Sequence, residues 1–161
     1  MRVLIVSDTH GRAEQLGSIL QQNQPLNYLV HCGDVEGDED YIRALAGCPV
    51  YMVKGNNDFF CDLPREEEFY LGNCKVFLTH GHYYGVSMDL EGIMDEGRAR
   101  GADIVMFGHT HRPVVEEGKN IVALNPGSLS YPRQMGRKPS YIVMEIDEKN
   151  ILHFAIKYVD K

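Results

Sequence analysis

The chain contains no apolar run that approaches the ~18 residues needed to span a membrane as a helix, so a membrane partner is not expected. It also lacks an excess of positive charge. Its formal net charge is −7, whereas a nucleic-acid backbone is bound through a basic footprint. Nucleic acid is therefore not expected as the main partner. Clustered acids qualify that argument only where they bind divalent cations, which reverse the local field. Cysteine is sparse: Cys32, Cys48, Cys61 and Cys74 form no C-x-x-C pair and no dense knot. That spacing suits reduced thiols, packed as small apolar residues in a cytoplasmic protein. The opening stretch, MRVLIVSDTHGRAEQ, lacks a small-residue cleavage site and meets an acid at Asp8. It reads as a first strand, not a secretory leader. Repeats, linkers and low-complexity segments are also missing.

What is present is ordinary for a globular chain: 43% hydrophobic and 24% charged residues over 161 positions. That length suits one domain, 1–161, with its own core. Five short apolar runs, RVLIVSD, NYLVHCGD, VYMVKGN, KVFLTHG and DIVMFGH, are bounded by turn formers as buried strands should be. Helical spacing separates several of them. RAEQLGSILQQ places Ala13, Leu16, Ile19 and Leu20 on one face before Pro25. DEDYIRALAG carries acids in its first turn and ends at Gly47. GVSMDLEGIMDEGRARG aligns Val86, Leu90, Ile93 and Met94 but contains two internal glycines. After residue 112 the pattern becomes strands with short turns and no helix: PVVEE, NIVALN, PSYIVMEID and ILHFAIKYVD. The expected fold is α/β with an antiparallel final third, a two-sheet core carrying helices outside.

The first five runs end alike. They lead into Asp8-Thr9-His10, Gly33-Asp34, Gly55-Asn56, His80-Gly81-His82 and Gly108-His109-Thr110-His111. Carboxyl ends of strands line the ligand crevice of open α/β sheets, so these residues converge on one rim if the strands share a sheet. Imidazole, carboxylate and one amide carbonyl, without thiolate, form a mixed N/O donor set suited to Mn²⁺, Fe²⁺, Zn²⁺ or Ni²⁺ in a reactive centre. Seven such residues exceed one tetrahedral ion and suit two ions sharing a carboxylate. A pair of ions can clamp a phosphoryl group and hold a bridging hydroxide for attack.

In this order the motifs D-x-H, G-D, G-N, H and G-H-x-H resemble the calcineurin-like metallophosphoesterase superfamily, and within it the small YfcE-type phosphodiesterase branch. The resemblance spans nearly the whole chain and includes NPGS at Asn125 to Ser128, followed by Pro132-Arg133. It implies a four-layer α-β-β-α sandwich with a dinuclear site at the sheet edge. It also implies that Asp8, His10 and His111 hold one divalent ion, that Asn56, His80 and His109 hold the other, and that Asp34 bridges them. Manganese is the first choice of metal, with Ni²⁺, Zn²⁺, Fe²⁺ or Co²⁺ as substitutes. The implied activity is hydrolysis of a small-molecule phosphodiester by a metal-held hydroxide. A phosphomonoesterase, a dinucleoside polyphosphate hydrolase and a non-catalytic scaffold like the retromer subunit of this fold are the alternatives. The oligomeric state stays open, with homo-oligomers allowed.

One position departs from the superfamily pattern. Asn57 stands where a histidine usually follows the ligand asparagine, and it can donate a hydrogen bond but has no titrating proton near neutral pH. That favours esters with good leaving groups. Asp58 either orients a neighbouring histidine or caps its own turn, and Arg133 is a candidate for holding the substrate phosphate. Arg137 and Lys138 read as a solvated loop, and Tyr83 and Tyr84 as packing residues. His31 reads as a structural histidine, His82 as a neighbour of the site, and His153 as ordinary.

Overall fold

The computed structural model describes residues 1–160. Its ten strands fall into two five-stranded sheets. The first has the order β10-β9-β1-β2-β3, built from β1 (Arg2–Val6), β2 (Tyr28–His31), β3 (Val50–Met52), β9 (Ser140–Ile146) and β10 (Leu152–Tyr158). The second has the order β4-β5-β6-β8-β7, built from β4 (Glu66–Leu71), β5 (Cys74–Thr79), β6 (Ile104–Met106), β7 (Pro113–Gly118) and β8 (Ile121–Pro126). Strands β1, β2 and β3 are parallel, and β9 runs antiparallel to both β1 and β10. In the second sheet β5, β6 and β8 are parallel while β4 and β7 close the edges antiparallel. The final third is therefore not antiparallel throughout, because β8 pairs in parallel with β6.

Alternation along the strands explains the layers. Val3 and Ile5 of β1 face the second sheet, where they meet Val76, Leu78, Ile104, Met106 and Leu124. Leu4 and Val6 face the other way, onto α1 (Leu16–Gln22) and α2 (Glu39–Ala46). Likewise Ile142 and Met144 of β9 enter the inter-sheet core while Tyr141 and Val143 join the helix layer. Both faces of β1 and β9 are buried, which is why their runs are almost wholly apolar. On the far side α3 (Glu91–Ala99) packs Ile93 and Met94 against Phe77, Val105 and Phe107. The result is the four-layer α-β-β-α sandwich.

Two helices are shorter than their apolar spacing suggests. The stretch before Leu16 is turn, although Ala13 is still buried with the helix layer, and residues 85–90 form turns ahead of α3. Gly47 ends α2 in the left-handed region at φ 65°, as a helix C-terminus favours. No helix of the described residues is long and apolar enough to cross a membrane.

The carboxyl ends of β1, β2 and β3 lie on one sheet and those of β5 and β6 on the other. Convergence by a shared sheet is thus corrected. The rim forms because the two sheets bring their carboxyl ends to the same edge of the sandwich. Bonds stitch that edge across the gap: His80 Nδ1 lies 2.8 Å from the Cys32 carbonyl, and the His109 N–H donates to Asp8 Oδ2 at 3.1 Å.

Candidate metal centre

At the rim the loops leave their strands abruptly. Asp8, His10, Asp34, His109 and His111 all have positive φ, between 49° and 70°. L-residues avoid that region, and it is held only where surrounding contacts over-determine it. Those contacts are present. The Asp8 N–H donates to the Gly33 carbonyl, His10 N–H to the Asp34 carbonyl, and the Ser128 and Ser130 hydroxyls both donate to the Asp8 carbonyl, at 2.7 and 2.8 Å. Asn125 donates to the Gly108 carbonyl and the Thr110 hydroxyl, each at 2.9 Å. The NPGS segment therefore braces two of the loops through its side chains.

Two glycines are required by space. A Cβ on Gly55 would lie 2.1 Å from Asp34 Oδ1, and one on Gly108 would lie 2.1 Å from Ser7 Oγ and 2.7 Å from Asp8 Oδ2. Backbone at these points runs directly behind the two central carboxylates.

All seven residues proposed from the motifs meet here. His111 Nε2 lies 3.1 Å from Asp8 Oδ1 and 3.2 Å from His10 Nε2. His10 Nε2 is 3.7 Å from both Asp8 Oδ1 and Asp34 Oδ2. His80 Nε2 is 3.4 Å from Asp34 Oδ2 and 3.8 Å from Asp8 Oδ1. His109 Nδ1 lies 3.1 Å from Asn56 Oδ1, and its ring sits edge-on to His80 with centroids 5.3 Å apart. Two buried groups have spacing suited to an ion: Asp8, His10 and His111, and Asp8, Asp34 and His80.

Hydrogen bonding leaves two inward-facing atoms free. Asp8 Oδ2 accepts from the Ser7 hydroxyl and the His109 N–H, but buried Oδ1 makes no hydrogen bond. His80 Nε2 is likewise buried without a partner, despite its proximity to two carboxylates. A buried polar atom left unpaired costs free energy, so these two atoms, 3.8 Å apart at the rim, border a space that fits cations. The outer ring nitrogens fit too. Nδ1 of His111 and His80 face the carbonyls of Tyr131 and Cys32 at 2.7 and 2.8 Å, and Nδ1 of His10 faces Glu36 Oε1 at 3.1 Å. With a proton on each Nδ1, Nε2 presents its lone pair inward, as metal-ligating histidines do.

Electrostatics follow from the crowding. Burial works to raise the Asp8 carboxyl, yet the His10 and His111 imidazoles close to Oδ1 and the charge of His80 outweigh it and hold the group far below the usual carboxylate range. Asp34 is likewise opposed by burial but brought down to about 2 by His80 and Asn57. Burial pulls His10 down, but Asp8 and Glu36 raise it to about 9. The carboxylates thus recruit positive charge from histidine when no cation is supplied.

The remaining proposed residues have distinct places. Asn57 donates twice to Asp34, from its N–H to Oδ1 at 2.9 Å and from Nδ2 to Oδ2 at 2.8 Å. Asp58 contacts no histidine by hydrogen bond. It accepts from the N–H groups of Val35, Glu36 and Gly55 at 2.7 to 3.1 Å, tying the β2 and β3 loops together, so its capping role is the one realised. The Arg133 N–H donates to the His111 carbonyl at 3.0 Å, and its side chain lines a cavity that opens onto His10 and His111. His31 is fully buried, accepting from the Gly33 N–H at Nδ1 (3.1 Å) and placing Nε2 3.0 Å from the Thr9 hydroxyl. His82 stacks beside Tyr83, with Nδ1 unpartnered. Ser7, Asn125, Ser128 and Ser130 escape motif reading as residues with roles of their own; NPGS supplies a signal only as a block, whereas Ser7 carries none beyond its place before Asp8.

Comparison with known proteins agrees with this geometry. Residues 1–149 match the calcineurin-like phosphoesterase superfamily domain. A probable metallophosphoesterase of Bacillus subtilis, YsnB, is 35% identical over 148 residues, covering 91% of this chain and 85% of its own. Among solved structures, zinc-bound Vps29 of Entamoeba histolytica superposes with a TM-score of 0.78 at 27% identity, covering 98% of this chain and 99% of its own. YfcE, a phosphoesterase from E. coli, superposes with a TM-score of 0.69 at 25% identity, covering 99% and 100%.

Proposed function

Because the chain belongs to the calcineurin-like phosphoesterase superfamily, we propose that it is a metal-dependent phosphodiesterase with two divalent ions, manganese first among them. The observation that carries this reading is the pair of buried, unpartnered atoms Asp8 Oδ1 and His80 Nε2 facing the same space. Asp8, His10 and His111 would hold one ion, Asn56, His80 and His109 the other, with Asp34 shared. Such ions supply Lewis acidity there, acidifying water and drawing charge off a phosphoryl group.

The chain's own groups do the rest. Asn57 fixes both oxygens of Asp34 and so sets the orientation of the shared carboxylate. Asp58 keeps the two loops bearing Asp34 and Asn56 in register. Arg133, on the wall beside His111, offers its guanidinium to a non-bridging phosphoryl oxygen. No group at position 57 can protonate a leaving alkoxide, which favours diesters whose alcohols leave readily over monoesters and over dinucleoside polyphosphates. Four free cysteines accord with a reducing, cytoplasmic setting.

Similarity to Vps29 supports a second reading, a protein-binding scaffold, and exposed Phe59, Phe60, Tyr83 and Met88 near the rim give it a surface. Zinc in that Vps29 means that metal binding alone does not separate the two. Turnover does: bis(p-nitrophenyl) phosphate should be hydrolysed with added Mn²⁺. Absence of hydrolysis with Mn²⁺, Ni²⁺, Co²⁺ and Zn²⁺ alike would discard the enzyme and leave the scaffold.

A further inference from the structure

Beside His10 and His111 the rim opens into a cavity of about 570 Å³ whose wall carries Arg112, Arg133 and Arg137, with no acidic residue in its lining. Among the described residues these three guanidiniums make no ion pair and no side-chain hydrogen bond. Of the other arginines, Arg2, Arg98 and Arg100 pair with acids, Arg43 donates to the Val50 carbonyl, and Arg12 and Arg65 lie over tyrosine rings. In a chain of net charge −7, three arginines without such a partner share this wall, and Arg112 and Arg133 also border a cavity that holds Asp89 and Glu116. The wall is built, not loose. Tyr131 is fastened to His111 through its carbonyl, Arg133 N–H is bonded to the His111 carbonyl, and Arg137 N–H closes a turn onto Gln134 at 3.0 Å. Arg137 itself is held at φ 45°, whereas neighbouring Lys138 turns away to pair with Asp160 at 2.9 Å. The loop that reads in sequence as one solvated basic stretch is thus divided, with Arg137 facing the site and Lys138 leaving it.

With Arg133 assigned to the phosphoryl group under attack, Arg112 and Arg137 on the same wall remain without a ligand. We infer that Arg112 and Arg137 form a second anion subsite, and that the substrate is a phosphodiester carrying a further phosphate on the same molecule. Guanidinium is the cation suited to phosphate oxygens, through paired N–H donors. A phosphorylated nucleotide diester satisfies this chemistry, whereas a glycerol or choline diester without an extra phosphate does not. The inference rests on the phosphodiesterase reading for the word substrate, but the subsite itself does not.

Two measurements keep these apart. With Mn²⁺, thymidine 3′-phosphate 5′-(p-nitrophenyl phosphate) should show a kcat/KM about tenfold above thymidine 5′-(p-nitrophenyl phosphate), the worth of one charge-assisted contact. The Arg112→Ala/Arg137→Ala double variant should bring that ratio near one, and Lys138→Ala should not change it. With chelator present, thymidine 5′-monophosphate should bind the wild-type full-length chain about tenfold more tightly than the double variant. A ratio near one in the wild type overturns the substrate assignment. If inorganic phosphate instead alters turnover of the simpler diester through Arg112 and Arg137, the occupant is free phosphate, and the assignment is again overturned. Equal binding of the monophosphate by wild type and double variant overturns the subsite. Failure of turnover with every ion, alongside tighter binding by the wild type, removes the phosphodiesterase reading and upholds the subsite.

Discussion

The inter-sheet core and the rim are made by the same strands at the same depth, and they are held together in opposite ways. On β1, Val3 and Ile5 are wholly buried between the sheets, and so are Ser7 and Asp8 just beyond the strand's end. On β5 the wholly buried Val76 and Leu78 give way to His80, equally buried. In the core each aliphatic side chain gains by leaving water, on the order of 1.5–3 kcal/mol. At the rim the same depth imposes a desolvation cost on carboxylate and imidazole. That cost is offset by hydrogen bonds, by mutual charge and by a backbone forced into positive φ at five candidate donors. Core and rim should therefore separate stability from function.

The largest separation is expected from Asp34→Asn. Removing charge from the central carboxylate should lower diester turnover more than about 100-fold, with a metal-free melting temperature no lower than that of the wild type; retention of most activity would contradict a shared carboxylate. Leu71→Ala attacks the core at the strand end away from the rim. It should cost ~2–5 kcal/mol in urea unfolding while turnover per folded molecule stays unchanged. A matched loss of turnover would mean that the core and rim are not separable.

A pH experiment touches the boundary between them. Burial brings the His31 imidazole down to about 4, below its ordinary value of 6.5. A histidine with a lowered folded pKa contributes stability above its unfolded value, and that contribution is lost as pH falls. For His31 the window runs from about 6.5 to about 4, with a contribution of roughly 3 kcal/mol at its upper end. Metal-free protein should lose that much between those limits, and His31→Gln should flatten the slope; an unchanged slope would assign the acid sensitivity elsewhere. The smallest effect is expected from Asn57→His. It should raise turnover roughly fivefold on poor leaving groups only, less than a well-placed general acid gives, because the two bonds to Asp34 are disturbed. An equal gain on activated esters would show that protonation is not what position 57 lacks.

The strands of the interior were legible because both faces of β1, β2 and β9 are buried, which writes uninterrupted aliphatic runs into the sequence. β4 was not. Glu66 and Glu68 point outward to Arg100 and Lys75 while Phe69 and Leu71 enter the core, and Glu67, on the parity of the core residues, breaks the apolar alternation. A two-sheet core follows from helices and strands giving way to strands alone, but which strands share a sheet does not, because local patterns do not encode which distant strands pair. The candidate donors were legible from residue type and repetition at strand ends. Their bracing was less so: a serine that donates to the Asp8 carbonyl from 120 residues away carries no local signature. Arg112 shares that lack of signal, as one exposed arginine after a motif has no spacing to mark it.

The candidate donors stand on both sheets: Asp8, His10, Asp34 and Asn56 follow strands of the first, and His80, His109 and His111 follow strands of the second. The gap between the sheets is consequently a ruler laid across the centre. Its width is set by aliphatic volume at positions such as Val30, Val76 and Ile104, which touch none of the donors' reactive atoms. Donor spacing selects among divalent ions of different radius and preferred geometry. Under the proposed metal reading, a lineage carrying this arrangement can therefore drift in metal preference by exchanging methyl groups in its interior, keeping every candidate donor in place.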